Sequence, residues 1–263
     1  MENANTIKFR CSSLGYIMTE SRSKSETLSE TCKTHLIDVF VSAKYGRREE
    51  ITGKFLDKGN EREEDSITLL SRATKIFYKK NEERIENDFI SGTPDLYLGI
   101  GLQLADETND TKTSWSAHTF FRAQKEALNK MYYWQGQGYM DLTGAKKHTV
   151  TYCLVNGTAK AIMDEKRRLA YAMGVLDTQA TDNVAYLEKC KQIEVNHIFD
   201  MEAFKNENPF FEFDNDLEKW TFDIPISERI FQFTFDRNDA DIERMHQRVI
   251  ECRNFMNENL FKI

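Results

Sequence analysis

Four kinds of residue stand in an order that could do chemistry: a helix-borne glutamate, an aspartate behind a proline, an aspartate and a lysine two apart, and a pair of glutamines. Glu63, in "GNEREED", is spaced 4, 3, 4 and 3 residues along from Ile67, Leu70, Thr74 and Phe77, which is one stripe of a helix. Its carboxylate begins that apolar stripe. It either complements the helix dipole or needs a cation or hydrogen-bond donors, because desolvating a bare charge is costly. Asp95 follows Pro94 in "SGTPDLYL", in a chain with only 3 prolines. The proline ring fixes φ and pushes Thr93 into an extended conformation. That makes a turn, or a carboxylate held rigidly at the start of a strand. Asp110 and Lys112, in "NDTKTSW", leave one face of a strand, either as an active pair or as a surface ion pair worth ~0–1 kcal/mol. Gln135 is in heptad register with Leu128 and Phe121, which turns it inward, and a buried amide requires partners. The 5 cysteines (Cys11, Cys32, Cys153, Cys190, Cys252) form no CxxC pair and the 5 histidines stand apart, which argues against zinc or iron–sulfur ligation. Any metal would be held by oxygen, as magnesium and manganese are.

Elements must position these groups. Capping residues and apolar spacing predict helices over 29–45 and 60–80, a long helix over about 115–140 that stops near Gly144, and helices over 159–173, 179–205 and 239–260. β-prone runs cover 88–99, about 106–113, 148–155 and 229–236, the last preceded by an aromatic stretch at 208–225. The order is that of a mixed α/β fold. With no repeat or low-complexity linker in 263 residues, a single domain is expected, its core at about 30–156 and a C-terminal elaboration at about 157–263. Hydrophobic residues at 40% and charged residues at 30% give the balance of a soluble globular protein. No apolar run approaches the ~18 residues of a spanning helix and no apolar leader precedes the first motif, so no membrane partner and a cytoplasmic address are expected. A net charge of −7 speaks against a protein that coats nucleic acid but leaves room for an enzyme that grips phosphate locally. Lys166, Arg167 and Arg168, beside Asp164 and Glu165, read as a solvated, paired face. Phe231, Phe233 and Phe235 alternate on a strand, as core or as a stacking platform for bases, with core burial expected.

Taken together, "GNEREED" at 59–65, "GTPD" at 92–95, "DTK" at 110–112 and "YYWQGQGYMDLTG" at 132–144 resemble the PD-(D/E)XK nuclease superfamily, and within it the lambda-exonuclease/YqaJ-like branch encoded by phages and prophages. "FRCSSLGYIMTESRS" and "CLVNGT...MDEKRRLAYAMG" are also similar to phage members, so the resemblance covers most of the chain. It implies a restriction-endonuclease-like core, a central mixed sheet flanked by helices, with additional C-terminal helices and strands. The superfamily's glutamate falls on Glu63, its metal-binding aspartate on Asp95, its second acid on Asp110, its lysine on Lys112 and its helix glutamines on Gln135 and Gln137. The backbone carbonyl of Thr111 is implied as a further metal ligand. Arg10, Ser12 and Ser13 match the group that holds the DNA 5′ phosphate, a role arginine suits by bidentate bonding, although Arg10 also reads as an ordinary basic residue before a turn. The implied activity is resection of double-stranded DNA ends, 5′ to 3′, with Mg2+ and with Mn2+ as a substitute. Such enzymes serve recombination in the bacterial cytoplasm beside a single-strand annealing protein, the lambda type as a homotrimer. The alternatives are a related endonuclease or CRISPR-adaptation nuclease, and a scaffold that binds DNA ends or a partner without cutting. In one respect the sequence departs from the pattern. The superfamily's D/E-x-K strands usually have apolar neighbours and many carry Glu, whereas "ETNDTKTSW" is polar throughout and carries Asp110.

Overall fold

A computed structural model of the chain describes residues 3–49, 53, 58–59, 61–175, 182–214 and 223–262. The residues expected to start the 60–80 and 179–205 helices and the middle of the aromatic stretch lie outside the described residues. Strand β1 (Phe9–Arg10) leads through a 3-10 turn into the short helix α1 (Leu14–Ile17) and then α2 (Glu30–Tyr45). Ser29 caps α2 by accepting from Cys32 N, and Gly46 closes it in the left-handed region at φ 65°. Helix α3 (Glu63–Thr74) follows, with Glu63, Glu64 and Asp65 in its first turn. β2 (Ile85–Glu86), β3 (Ile90–Gly92), β4 (Leu96–Gly99) and β5 (Ala105–Thr113) come next, then α4 (Ala117–Lys125), α5 (Lys130–Thr143) and β6 (Lys147–Cys153). The chain continues through α6 (Ala159–Met173), α7 (Val184–His197), α8 (Met201–Glu207), β7 (Ile230–Asp236) and α9 (Asp239–Asn259).

The strands form two sheets. A four-stranded mixed sheet runs β4-β5-β6-β7, with β5 and β6 parallel and the outer pairs antiparallel. A small sheet, β1-β3-β2, stands apart from it. The β-prone run at 88–99 is therefore two strands in two different sheets, and Thr93–Pro94–Asp95 is the crossing between them. Each carbonyl of that crossing is fixed from outside. Thr93 O accepts from Tyr139 Oη at 3.1 Å and Pro94 O from Asn81 Nδ2 at 2.9 Å. Asp95 O accepts from Asn81 N at 2.7 Å.

Three helices depart from the sequence expectation. α3 ends at Thr74, not residue 80, because Lys75 turns left-handed at φ 63°. Ser71 Oγ then takes the N–H of Tyr78, the chain runs without regular structure to the Asn81 clamp, and Phe77 is left 88% exposed, outside the core stripe it was assigned to. The long helix at 115–140 is two helices: Glu126 is extended and Asn129 caps a new start by accepting from Met131 N. The 179–205 segment breaks at Ile198–Asp200, where Asn156 Oδ1 takes the N–H groups of Phe199 and Asp200 and Asp200 caps α8. Gly144 closes α5 in the left-handed region as expected.

The first and last segments share a core. Leu14, Leu36, Met245 and Val249 are fully buried together, and Cys32 Sγ lies 3.7 Å from Cys252 Sγ. Asn257 Oδ1 accepts from Ala4 N at 2.7 Å and Arg253 donates to Ile7 O at 2.7 Å. No helix among the described residues is long and apolar enough to cross a membrane. On α6, Arg167 and Arg168 form the expected exposed pairs with Asp164 and Glu165. Lys166 does not: it is buried and bonded to Glu194 at 2.7 Å and Asp214 at 2.6 Å, because a helix turns the next residue ~100° away. The phenylalanines of β7 are half-buried, with Phe231 stacked on Tyr152 at 4.7 Å.

Candidate active site

The polar strand β5 lies inside the main sheet, so each polar side chain there needs a partner. Three of them find one on β6. Thr149 Oγ1 donates to Glu107 and meets Thr234 Oγ1, while Thr151 Oγ1 donates to Asn109 and accepts from Gln232. Thr108 Oγ1 pairs with His148 Nδ1, and Thr113 Oγ1 with Ser66 Oγ on α3. These cross-strand bonds take the place of the apolar contacts expected around a D/E-x-K strand, and they fix Asp110 in register opposite Val150 of β6.

Asp95 meets this strand at its edge. Its Oδ2 accepts from Thr111 N at 2.7 Å and Thr111 Oγ1 at 3.1 Å. Asp110, 2% exposed, accepts from Gln135 Nε2 at 3.2 Å, and its Oδ2 meets the ammonium of Lys112. Lys112 also lies 4.7 Å from the centre of the Tyr132 ring, a cation–π contact. Gln135 donates to Tyr139 Oη at 3.0 Å as well. Because Tyr139 in turn donates to Thr93 O, a continuous chain of hydrogen bonds joins the Pro94–Asp95 crossing to Asp110.

The charges act on one another strongly. Burial and then the Asp110 charge push the Asp95 carboxyl up to about 8, against the pull of Lys112 and the Thr111 N–H, with Glu63 adding to the rise. Burial acts to lower Lys112, but the Asp110 and Asp95 carboxylates outweigh it and hold the ammonium above its ordinary range. Lys112 is therefore a protonated cation in this arrangement.

The structure brings Asp95, Asp110, Lys112, Thr111 and Gln135 together. Thr111 joins through its N–H and hydroxyl to Asp95. Gln135 is buried even though the heptad register used to place it does not hold, since Leu128 falls in the break between α4 and α5. Glu63 is within electrostatic reach of Asp95, but its Oε2 accepts from Lys80 Nζ at 2.9 Å. Gln137 stands outside the cluster, two residues and ~200° around the helix from Gln135. It holds the β7–α9 junction, donating to Asp236 O at 3.0 Å and accepting from Asn238 N at 2.9 Å. Arg10 pairs in register with Ser91, just before the crossing. Arg10 and Ser12 are exposed, and Ser13 Oγ donates to Arg10 O at 2.9 Å. Sequence reasoning missed Lys80, Asn81, Tyr132 and Tyr139. For Tyr139 the i, i+4 spacing from Gln135 was the available signal.

Hard oxygen donors suit a magnesium or manganese ion, and two features fit one here. The Thr111 bonds to Asp95 fall on Oδ2, and the buried Asp110 Oδ2 has no hydrogen-bond partner among the described residues and meets the Lys112 charge. Among the described residues no three or more His, Cys, Asp or Glu side chains are gathered as a metal-binding set, and Glu63 is paired with Lys80.

No family model and no curated protein matches the sequence. Solved structures do match the fold. A phage-related exonuclease from Haemophilus somnus 129PT superposes with a TM-score of 0.68 at 24% identity, covering 100% of this chain and 99% of that one. An alkaline exonuclease from Laribacter hongkongensis superposes at 0.57 with 13% identity, covering 98% of this chain and 92% of that one, and so does the same protein in complex with dAMP. At these identities the likeness is one of fold. Over essentially its whole length, the chain has the mixed α/β architecture of those exonucleases, which is the architecture its motifs implied.

Proposed function

We propose that the protein is a metal-dependent deoxyribonuclease of the PD-(D/E)XK superfamily, of the lambda-exonuclease branch, that resects double-stranded DNA ends. The observation that carries this reading is the meeting of Asp95 with the buried Asp110 across the start of the β4–β5 pair, with Lys112 on Asp110 and with Gln135 and Tyr139 tying both strands together. Asp95 and Asp110, joined by Glu63, would hold magnesium or manganese. That ion would supply the charge that acidifies the attacking water and offsets the negative charge on the phosphoryl oxygens. Lys112, paired with Asp110, stabilises charge on the phosphate and orients or deprotonates the water. Gln135 keeps the Asp110 carboxylate in one orientation. Arg10 and Ser12, exposed beside the small sheet, are the groups proposed to receive the 5′ phosphate. The same reading extends to a recombination role with a single-strand annealing partner, and to a ring of three copies.

Digestion of a linear duplex labelled at one 5′ end, with and without Mg2+ or Mn2+ and beside a closed circle, tests it. Metal-dependent shortening of the linear DNA alone is expected, and it should vanish in Asp95→Ala and Lys112→Ala. Cleavage of the circle would make the protein an endonuclease. Retarded but uncut DNA under every metal would make it a binding module, and wild-type cleavage by both variants would remove the site.

A further inference from the structure

A second lysine reaches the acidic site. Lys80 Nζ donates to Glu63 Oε2 at 2.9 Å, and the two side chains are 35% and 26% exposed. Lys80 also lies in the field of Glu64 and Asp95. Its backbone is not free to drift. The next residue, Asn81, donates from its N–H to Asp95 O at 2.7 Å and from Nδ2 to Pro94 O at 2.9 Å and Glu83 O at 3.1 Å. The segment after α3 is thereby clamped to the same crossing that carries Asp95. The residue next to Lys80 is thus bonded once to the backbone of Asp95 and once to that of Pro94.

Charge balance gives the contact a direction. Glu63, Asp95 and Asp110 carry at most three negative charges beside the two positive charges of Lys80 and Lys112. A divalent cation on the carboxylates makes the cluster net positive. The Lys80 ammonium then loses its reason to face Glu63, and a phosphate becomes its complementary partner. Resting on the nuclease reading above, we propose that Lys80 is a second active-site lysine. It holds Glu63 while the carboxylates carry no cation, and it turns to a phosphate of the bound strand when Glu63 joins Asp95 and Asp110 on the cation.

The test begins without DNA. Mn2+ is titrated calorimetrically into the full chain, into Lys80→Met, Lys80→Arg and Glu63→Gln, and into the Lys80→Met/Glu63→Gln double variant. Release of a half-exposed ion pair should make Lys80→Met bind Mn2+ roughly two- to fivefold tighter than wild type. Lys80→Arg should behave as wild type, and the gain should disappear in the Glu63→Gln background. Duplex binding with Ca2+ should weaken by roughly three- to tenfold in Lys80→Met, with the salt slope reduced by about one. If wild type binds Mn2+ and shortens linear DNA while Lys80→Met matches it in both titrations, the Lys80 proposal is overturned and the nuclease reading stands. If wild type neither binds Mn2+ nor shortens DNA, the nuclease reading fails and this proposal with it.

Discussion

Lowering the pH from 7 to 5 should destabilise this protein through one histidine. His148 is fully buried, its Nδ1 is 2.8 Å from Thr108 Oγ1, and its Nε2 has no hydrogen-bond partner. Gly136 and the rings of Tyr139 and Phe235 enclose it. Burial pushes its pKa from 6.5 down to about 4, with Lys112 assisting and Asp110 opposing. The unfolded chain takes up a proton on this imidazole near pH 6.5 and the folded chain does not. The stabilisation is thus complete above 6.5, falls as the pH drops through 6.5, and levels off below about 4. Between pH 7 and 5 this amounts to about 2 kcal/mol, or roughly 4–8 °C in melting temperature for a domain of this size. His148→Asn keeps a polar group beside Thr108 and removes the titration. It should melt below wild type at pH 7, since it leaves a small void, and its deficit should shrink by about 2 kcal/mol at pH 5. Carboxylates that titrate in the same range are common to both proteins and cancel in the difference. Thermal or urea unfolding at both pH values measures it. Parallel stability curves for the two proteins would refute the buried neutral imidazole.

Other perturbations read other parts of the structure. Gly136→Ala would place a Cβ 2.4 Å from His148 Cδ2 and 2.6 Å from Phe235 Cζ. The overpacking cost of about 1–3 kcal/mol should exceed the ~1 kcal/mol helix gain of alanine over glycine, and a urea midpoint above wild type would contradict that packing. Thr151→Val removes the buried hydroxyl between Asn109 and Gln232 and should cost about 1–3 kcal/mol, with Thr151→Ser close to wild type in the same melts. Asp95→Asn should abolish metal-dependent cleavage and yet raise the metal-free melting temperature, because it replaces a carboxyl that burial and the Asp110 charge disfavour while keeping an oxygen for Thr111. A lower metal-free melting temperature would argue against that penalty.

The site was legible in the sequence where its geometry is local. Asp110 and Lys112 share a strand face by simple alternation, and the proline marked Asp95 as fixed. What a one-dimensional reading could not supply was the distant partner that each of several polar residues of β5 meets. Thr108, Asn109 and Thr113 look like a solvated run until His148, Thr151 and Ser66, 40, 42 and 47 residues away, are placed beside them. Lys80 was hidden for a related reason. Periodicity carried the helix through residue 80, but α3 ends at Thr74 under tertiary contacts that propensity does not encode. Gln137 illustrates the opposite error, since a motif joined two glutamines that the helix turns to different neighbours. Of the fold, the α/β order and most strands followed from pattern. The split of 88–99 into two sheets did not, because pairing partners leave no trace in strand propensity.

The tie between the two ends of the chain sets a timetable for a nascent polypeptide. Arg253 seals Ile7 across 246 residues, and Asn257 seals Ala4 across 253. At ~5–20 residues per second of synthesis, the strand that carries Arg10 waits roughly 12–50 s on the ribosome for the helix that completes its core. The central sheet can assemble in the meantime, since β4 to β7 close by residue 236. Limited proteolysis of ribosome-stalled chains would show this delay as cleavage near the N-terminal strand that ceases only after the last helix has emerged.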